Sequence, residues 1–285
     1  MTTLLVGFDS AWSVTNSGAL VAVVKHPNGC LSELDSPIPA SFPEAVEIIL
    51  AWQAEHAVTL TLILIDQPTI VTNATGQRPV ENIVSSVVSR RYGGMQPANT
   101  GKDDLFGPAA PIWAFLTKFG GVGDPFQTDR STQVFETYPV LSIIANGWTL
   151  PNPERGQRLP KYNPANRRKF VDDDWTHLCD SIIRPLERHN LGGLARWVAE
   201  RREPGSRRPR KSDQDGLDAC ICLLAALDLA DGKPGLMVGD IQSGYIVVPD
   251  NENLRCELSE RCNRTQRAPV DWVRTFRIGT RKDDR

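Results

Sequence analysis

Leu4-Leu5-Val6-Gly7-Phe8-Asp9 and, further along, Leu60-Thr61-Leu62-Ile63-Leu64-Ile65-Asp66 decide how this chain is read. Both are short, largely apolar runs that end in a carboxylate. Runs of this length without polar alternation read as strands buried on both faces of a sheet. Two such strands lying side by side set Asp9 and Asp66 at the same sheet edge, where the backbone fixes each carboxylate and solvent still reaches it.

Working outward, Ala19 to Val24 and Leu31 to Ser36 read as two further strands around the turn signal Pro27-Asn28-Gly29, giving a three-stranded meander. Ser41 and Glu44 have capping-box spacing, and Val46, Ile49, Leu50 and Gln53 follow at helical intervals. Val80, Ile83, Val84, Val87 and Val88 predict an amphipathic helix that Gly93-Gly94 stops. Residues 92–108 read as a long loop near the carboxyl ends of the strands, and Pro111 opens a helix through Phe119. Gln133 to Glu136 is another strand ending in an acid, before Tyr138-Pro139. An apolar helix over Asp213 to Asp231 and a strand over Tyr245 to Val248 complete the pattern. The expected fold class is α/β, a mixed sheet flanked by helices. One domain spans residues 1–285, with 151–212 as a basic helical insertion before the last core helix.

The net charge of −2 gives no global pull toward a polyanion, yet residues 154–211 hold fifteen Arg or Lys against eight Asp or Glu. A nucleic-acid enzyme needs both signs: positive surface for phosphates and a compact acidic cluster for metal. The competing reading is a solvated arginine-rich surface. Six cysteines without CxxC pairing argue against structural zinc, and four scattered histidines argue against a histidine base. The chain opens with no charged n-region and apolar h-region, and no apolar run has membrane length, so a reducing cytoplasm is the expected setting.

On the last core helix, Asp215, Asp218, Cys222, Ala225 and Leu229 share one face by spacing. Ser212 with Asp215 has capping-box form, so capping is the alternative reading of Asp215, while Asp218 lies deeper. Asp9 and Asp66 could be turn or strand-end residues, and Glu136 could pair with an arginine of the insertion.

The segments GFDSAW at 7–12, IDQPT at 65–69, FETYPV at 135–140, KYNP at 161–164 and DGLDACICLLAAL at 215–227 resemble those of domain-of-unknown-function family 429. Members of that family are described as predicted RNase H-like nucleases. The similarity runs in motif order from about residue 4 to Pro249. It implies an RNase H-like sheet, which the element order also suits, and carries metal-binding roles onto Asp9, Asp66, Glu136 and the pair Asp215 and Asp218.

The expected activity is metal-dependent phosphodiester hydrolysis by a nuclease acting on DNA or RNA. Asp9, Asp66 and Asp218 would ligate Mg²⁺ or Mn²⁺, with Glu136 ligating or orienting water, because hard cations take oxygen ligands and need only a few carboxylates. Nucleic-acid contacts are expected from Arg90, Arg91, Tyr92 and Lys161, and from Arg207, Arg208 and Arg210 of the insertion. For Arg90 and Arg91 the alternative is a helix C-terminus that favours cations. Two other functions compete. An actin-like phosphotransferase using ATP would share the sheet, but Asp9-Ser10-Ala11-Trp12 lacks the glycine of a phosphate loop. A catalytically idle nucleic-acid-binding protein would keep the acids without turnover.

Overall fold

The computed structural model describes residues 1–12, 16–127, 130–203 and 208–278. In chain order the elements are β1 (Thr3–Asp9), β2 (Gly18–Lys25), β3 (Leu31–Glu33), β4 (Ile38–Ala40), α1 (Phe42–Glu55) and β5 (Leu60–Ile65). Then come α2 (Pro79–Arg90), α3 (Asp103–Phe106), α4 (Pro111–Lys118), β6 (Thr132–Glu136) and α5 (Pro139–Ala145). The hairpin β7 (Leu150–Asn152) and β8 (Gly156–Arg158) leads to α6 (Asp172–Arg188), α7 (Gly192–Arg202) and α8 (Lys211–Ala230). The chain closes with β9 (Gly235–Asp240), β10 (Gly244–Pro249), α9 (Glu252–Arg264), α10 (Pro269–Trp272) and β11 (Val273–Phe276).

The main sheet is mixed, in the order β3-β2-β1-β5-β6 with β4 also paired to β2. β1 runs antiparallel to β2 and parallel to β5, which is parallel to β6. The two apolar runs before Asp9 and Asp66 are thus central neighbours, in register from Thr3 opposite Leu60 to Phe8 opposite Ile65. Their alternation serves two cores. Leu5, Leu62 and Leu64 face α2, α5 and α8, while Leu4, Val6, Phe8, Ile63 and Ile65 face α1 and α4.

Two expectations about strands need correction. The strand expected over Leu31 to Ser36 stops at Glu33, and an unexpected strand, β4, follows beyond it: β3 pairs with Val23 to Lys25, and β4 with Gly18 to Leu20. Between them Ser36 N–H donates to the Asp35 side chain, a local turn bond that competes with the ladder, and Pro37 lacks a donor altogether. A second sheet, β10-β9-β11, was foreseen only in its β10 strand. It joins the main sheet where Thr137 bridges Val247 and its hydroxyl donates to the Val247 carbonyl at 2.7 Å.

Residues 151–212 hold the expected helices. Trp175, Leu178, Ile182, Leu186, Leu194 and Val198 are buried in the same core cluster as α8 and one face of the sheet, so this segment is built into the main core. Among the described residues no helix is long and apolar enough to cross a membrane.

One glycine sets the distance between sheet and helix. A Cβ on Gly7 would stand 2.2 Å from the Ala219 carbonyl oxygen and 2.5 Å from Leu223 N, so α8 lies with its backbone directly on β1. That close approach brings the first turns of α8 to the end of β1. Gly7→Ala is expected to destabilise the fold by about 3 kcal/mol through overpacking, read by urea denaturation. A loss below about 1 kcal/mol would mean that α8 lifts easily and does not depend on this contact.

Candidate metal centre

β1 ends on Asp9, β5 delivers Asp66 as its next residue, and α8 presents Asp218 two turns from its start. The loops after β1 and β5 fasten to each other. Ser10 Oγ donates to Gln67 Oε1 at 2.7 Å, and Trp12 Nε1 donates to the Asp66 carbonyl at 2.8 Å. Trp12 adopts the left-handed region, φ 59°, which a large side chain holds only when its surroundings enforce it. Its ring meets Phe106 edge to face at 5.7 Å, bringing α3, a short helix within the segment expected as a loop over 92–108, to the site. The GFDSAW and IDQPT segments therefore act as one clamp on the Asp66 backbone.

Asp218 is held from two sides, Tyr162 OH donating to Oδ1 at 2.8 Å and Gln214 Nε2 to Oδ2 at 3.1 Å. Burial raises the Asp9 and Asp66 carboxyls well above the usual carboxylate range, and repulsion from Asp218 adds to it in both; Lys211 opposes the rise. Asp218 is pushed up to about 6, again chiefly by burial, against the pull of Lys211, Tyr162 and Gln214. Three carboxylates from distant segments thus share one electrostatic environment, in which ionisation is disfavoured unless a further positive charge arrives.

All three open onto one cleft of about 1050 Å³. Among its described lining residues are six carboxylates, of Asp9, Asp66, Glu81, Glu136, Asp215 and Asp218, against two cations, Arg78 and Lys211. Among the described residues no three His, Cys, Asp or Glu side chains stand as a ready-made ligand set for one ion, so a cation would have to draw these carboxylates together. The donor chemistry fits a hard cation: oxygen ligands only, with room left for water.

Glu136 is placed differently from the three aspartates. Arg78 grips it with both terminal nitrogens, Nη1 to Oε2 at 2.8 Å and Nη2 to Oε1 at 2.6 Å, and Thr69 N–H donates to Oε2 at 2.9 Å. Both Glu136 oxygens are thus engaged by Arg78 and Thr69, although Glu136 still lines the cleft. Its arginine partner precedes α2 and does not come from the 151–212 segment. Arg78 is 1% exposed and also binds Glu81 and the Ile70 carbonyl; Glu81 in turn accepts from Ala98 N–H. One buried guanidinium therefore ties the loop after β5 to the end of β6 and to the loop before α3.

Asp215 does not cap α8. The helix starts at Lys211, Arg210 N–H donates to Asp213 at 2.8 Å, and Asp215 accepts from the Lys211 ammonium.

The expected nucleic-acid contacts scatter. Arg91 is buried, its guanidinium on Glu257 and the Val87 carbonyl, so it joins α2 to α9 and is unavailable to a phosphate. Arg90 is exposed, as expected of a residue in the last turn of a helix. Tyr92 donates its hydroxyl to Glu154 at 2.6 Å and carries the Arg155 guanidinium 4.2 Å from its ring centroid, so one ring face is already covered. Lys161 donates to the Tyr92 carbonyl. Arg208 and Arg210 are exposed, and Arg207 lies outside the described residues. Functional side chains that the sequence did not single out include Gln67, Arg78, Lys211 and Gln214; Gln214 carries a faint signal, four residues before Asp218 on the same helix face.

A family model described as "Protein of unknown function (DUF429)" matches residues 7–243, most of the chain and every carboxylate of this site. The chain belongs to that family. Comparison with curated proteins and with solved structures returns no match. Within the DUF429 match lie the Ser10–Gln67 clamp, the Arg78–Glu136 pair and the Tyr162–Asp218 bond, so its span takes in the supports of the carboxylates as well as the carboxylates.

Proposed function

We propose that this protein is a metal-dependent phosphodiester hydrolase acting on nucleic acid, with Asp9, Asp66 and Asp218 holding Mg²⁺ or Mn²⁺. The observation that carries this reading is the gathering of those three carboxylates on one acidic cleft, Asp9 of β1 and Asp218 of α8 buried and Asp66, just after β5, half-buried. A phosphate entering a cleft lined by six carboxylates would be repelled unless a cation stood between them. When bound, a divalent cation supplies Lewis acidity toward the phosphoryl oxygen and lowers the pKa of a coordinated water. The chain's own residues do the rest. Tyr162 and Gln214 hold Asp218 in place, the Ser10–Gln67 and Trp12–Asp66 bonds fix the loop bearing Asp66, and the Arg78–Glu136 pair keeps that loop seated.

We read the sheet as RNase H-like. An antiparallel β1-β2-β3 meander continued by parallel β5 and β6 supports this, with β4 also paired to β2.

For the substrate path, we infer that the phosphate backbone leaves the cleft along the KYNP strap. Tyr162 and Asn163 line the cleft, and Arg167, Arg168 and Lys169 follow on the surface, all exposed. Lys161 is lowered below the usual lysine range by partial burial first, then by repulsion from Lys169 and Arg158, which places those cations together. Replacing Arg167, Arg168 and Lys169 with alanine is expected to weaken single-stranded DNA binding in Ca²⁺ and to flatten its log–log salt slope by about 2, since each phosphate contact on a single strand contributes about 0.7. An unchanged slope would remove this surface from the path.

A cleavage panel of single-stranded, duplex, hybrid and branched DNA and RNA, with Mg²⁺, Mn²⁺ or EDTA, tests the function itself. Metal-dependent cleavage that Asp9→Asn and Asp66→Asn abolish supports it. Turnover of ATP with none of the nucleic acids cut would move the site to phosphotransfer.

A further inference from the structure

Lys211 is the first residue of α8, where the helix dipole disfavours a positive charge, so the dipole does not account for it. Four and seven residues on, along the same face, lie Asp215 and Asp218. Its ammonium donates to Asp215, and its charge acts on Asp9, Asp66 and Asp218 as well. Of the two described cations lining the cleft, Arg78 is buried and held by Glu136 and Glu81. Lys211 is the other, and its side chain keeps 55% of its exposure. It is therefore the cation of this cleft that can move without breaking a buried ion pair.

Resting on the metal-centre reading above, we propose that Lys211 is a built-in counter-ion. Its ammonium balances the Asp9, Asp66 and Asp218 carboxylates while no metal is bound, is expelled when a divalent cation enters, and then pairs with a phosphate of the substrate. The hand-over needs only rotation of a long, half-exposed side chain whose present partner, Asp215, also lines the cleft. It makes metal and lysine competitors for the same negative charge, and it couples metal entry to the appearance of a free ammonium where a phosphate must bind. Lysine suits the task because its ammonium is a compact point charge on a flexible stem, whereas a guanidinium would hold a carboxylate in a fixed fork.

The test is calorimetric titration of the metal-free protein with Mn²⁺ alone, for wild type, Lys211→Met and Lys211→Arg. Removing a competing charge that is partly screened by solvent is expected to tighten Mn²⁺ binding about tenfold in Lys211→Met, with Lys211→Arg close to wild type. Cleavage of a single-stranded oligonucleotide at saturating Mn²⁺ gives the second arm: KM rises about tenfold in Lys211→Met while kcat holds. Mn²⁺ binding in wild type that Asp218→Asn abolishes, but that Lys211→Met leaves equal or weaker, overturns the counter-ion and leaves the metal centre standing. Tighter Mn²⁺ with unchanged KM overturns the hand-over to phosphate. Wild type that binds no Mn²⁺ overturns both the metal centre and this inference.

Discussion

Asp218→Asn is expected to reduce Mg²⁺-dependent cleavage by at least about 100-fold, more than loss of an outer-shell partner brings, while leaving the metal-free protein at least as stable as wild type. The substitution keeps the shape of the side chain. Tyr162 OH still has an oxygen to donate to, and Gln214 Oε1, which is buried without a partner, can turn to accept from the new amide. The stability half follows from the raised carboxyl. Burial pushes Asp218 up to about 6 in the fold, above the usual carboxylate range, so its contribution is fully present below about pH 4 and is lost as pH rises through 6. Above that, the fold carries an ionised buried carboxylate beside two others that burial and mutual repulsion also raise. Metal-free wild type should therefore melt lower at pH 8 than Asp218→Asn and at a similar temperature at pH 4. Added Mg²⁺ should raise the wild-type melting temperature at pH 8 and leave the variant unmoved. A variant that is less stable without metal yet cleaves normally would make Asp218 a structural residue.

Arg78→Met carries the largest expected loss of stability, about 3–5 kcal/mol, the range for breaking a buried ion pair by removing one partner. The change leaves Glu136 without its bidentate partner and Glu81 without one of its donors, both in the interior. Glu81 keeps the Ala98 N–H and the backbone N–H of residue 78, and Glu136 keeps the Thr69 N–H, so both retain backbone donors but no neutralising charge. Lysine should not rescue, because a point charge cannot span Glu136, Glu81 and the Ile70 carbonyl as the planar fork does. Adding Glu136→Gln to Arg78→Met should recover part of the loss, since it removes one stranded charge. Urea denaturation of the four proteins in a double-mutant cycle measures the coupling. A single-variant loss below about 1 kcal/mol would show that water reaches these carboxylates and that Arg78 does not hold the loop.

The sequence made the frame of the site legible because two signals coincided there. The strand runs before Asp9 and Asp66 are apolar on both faces, so they had to be central, and neighbouring central strands bring their ends together. Asp218 was legible from helical spacing on a strongly apolar helix. What stayed hidden were pairings between segments far apart in the chain. Arg78 precedes a helix-starting proline and reads like a solvated residue, and nothing local shows that it lies across from Glu136 at the end of β6. Arg91 reads as a surface cation at a helix end because its partner, Glu257, sits on α9, far along the chain. The capping of α8 was misread by two residues, since Ser212-Asp215 and Arg210-Asp213 have the same spacing and only the true helix start decides between them. The β9 strand was missed because its short apolar stretch is framed by Gly235, Gly239 and Asp240, which read as turn residues.

The measurement that bears most directly on the metal centre is anomalous scattering from a crystal of the wild-type protein soaked in Mn²⁺. The account predicts a peak at the carboxyl ends of β1 and β5, with oxygens of Asp9, Asp66 and Asp218 drawn to about 2.1 Å from it, and no such peak in Asp218→Asn crystals soaked alike. A peak elsewhere, or none at millimolar Mn²⁺ with the three carboxylates still apart, would contradict it.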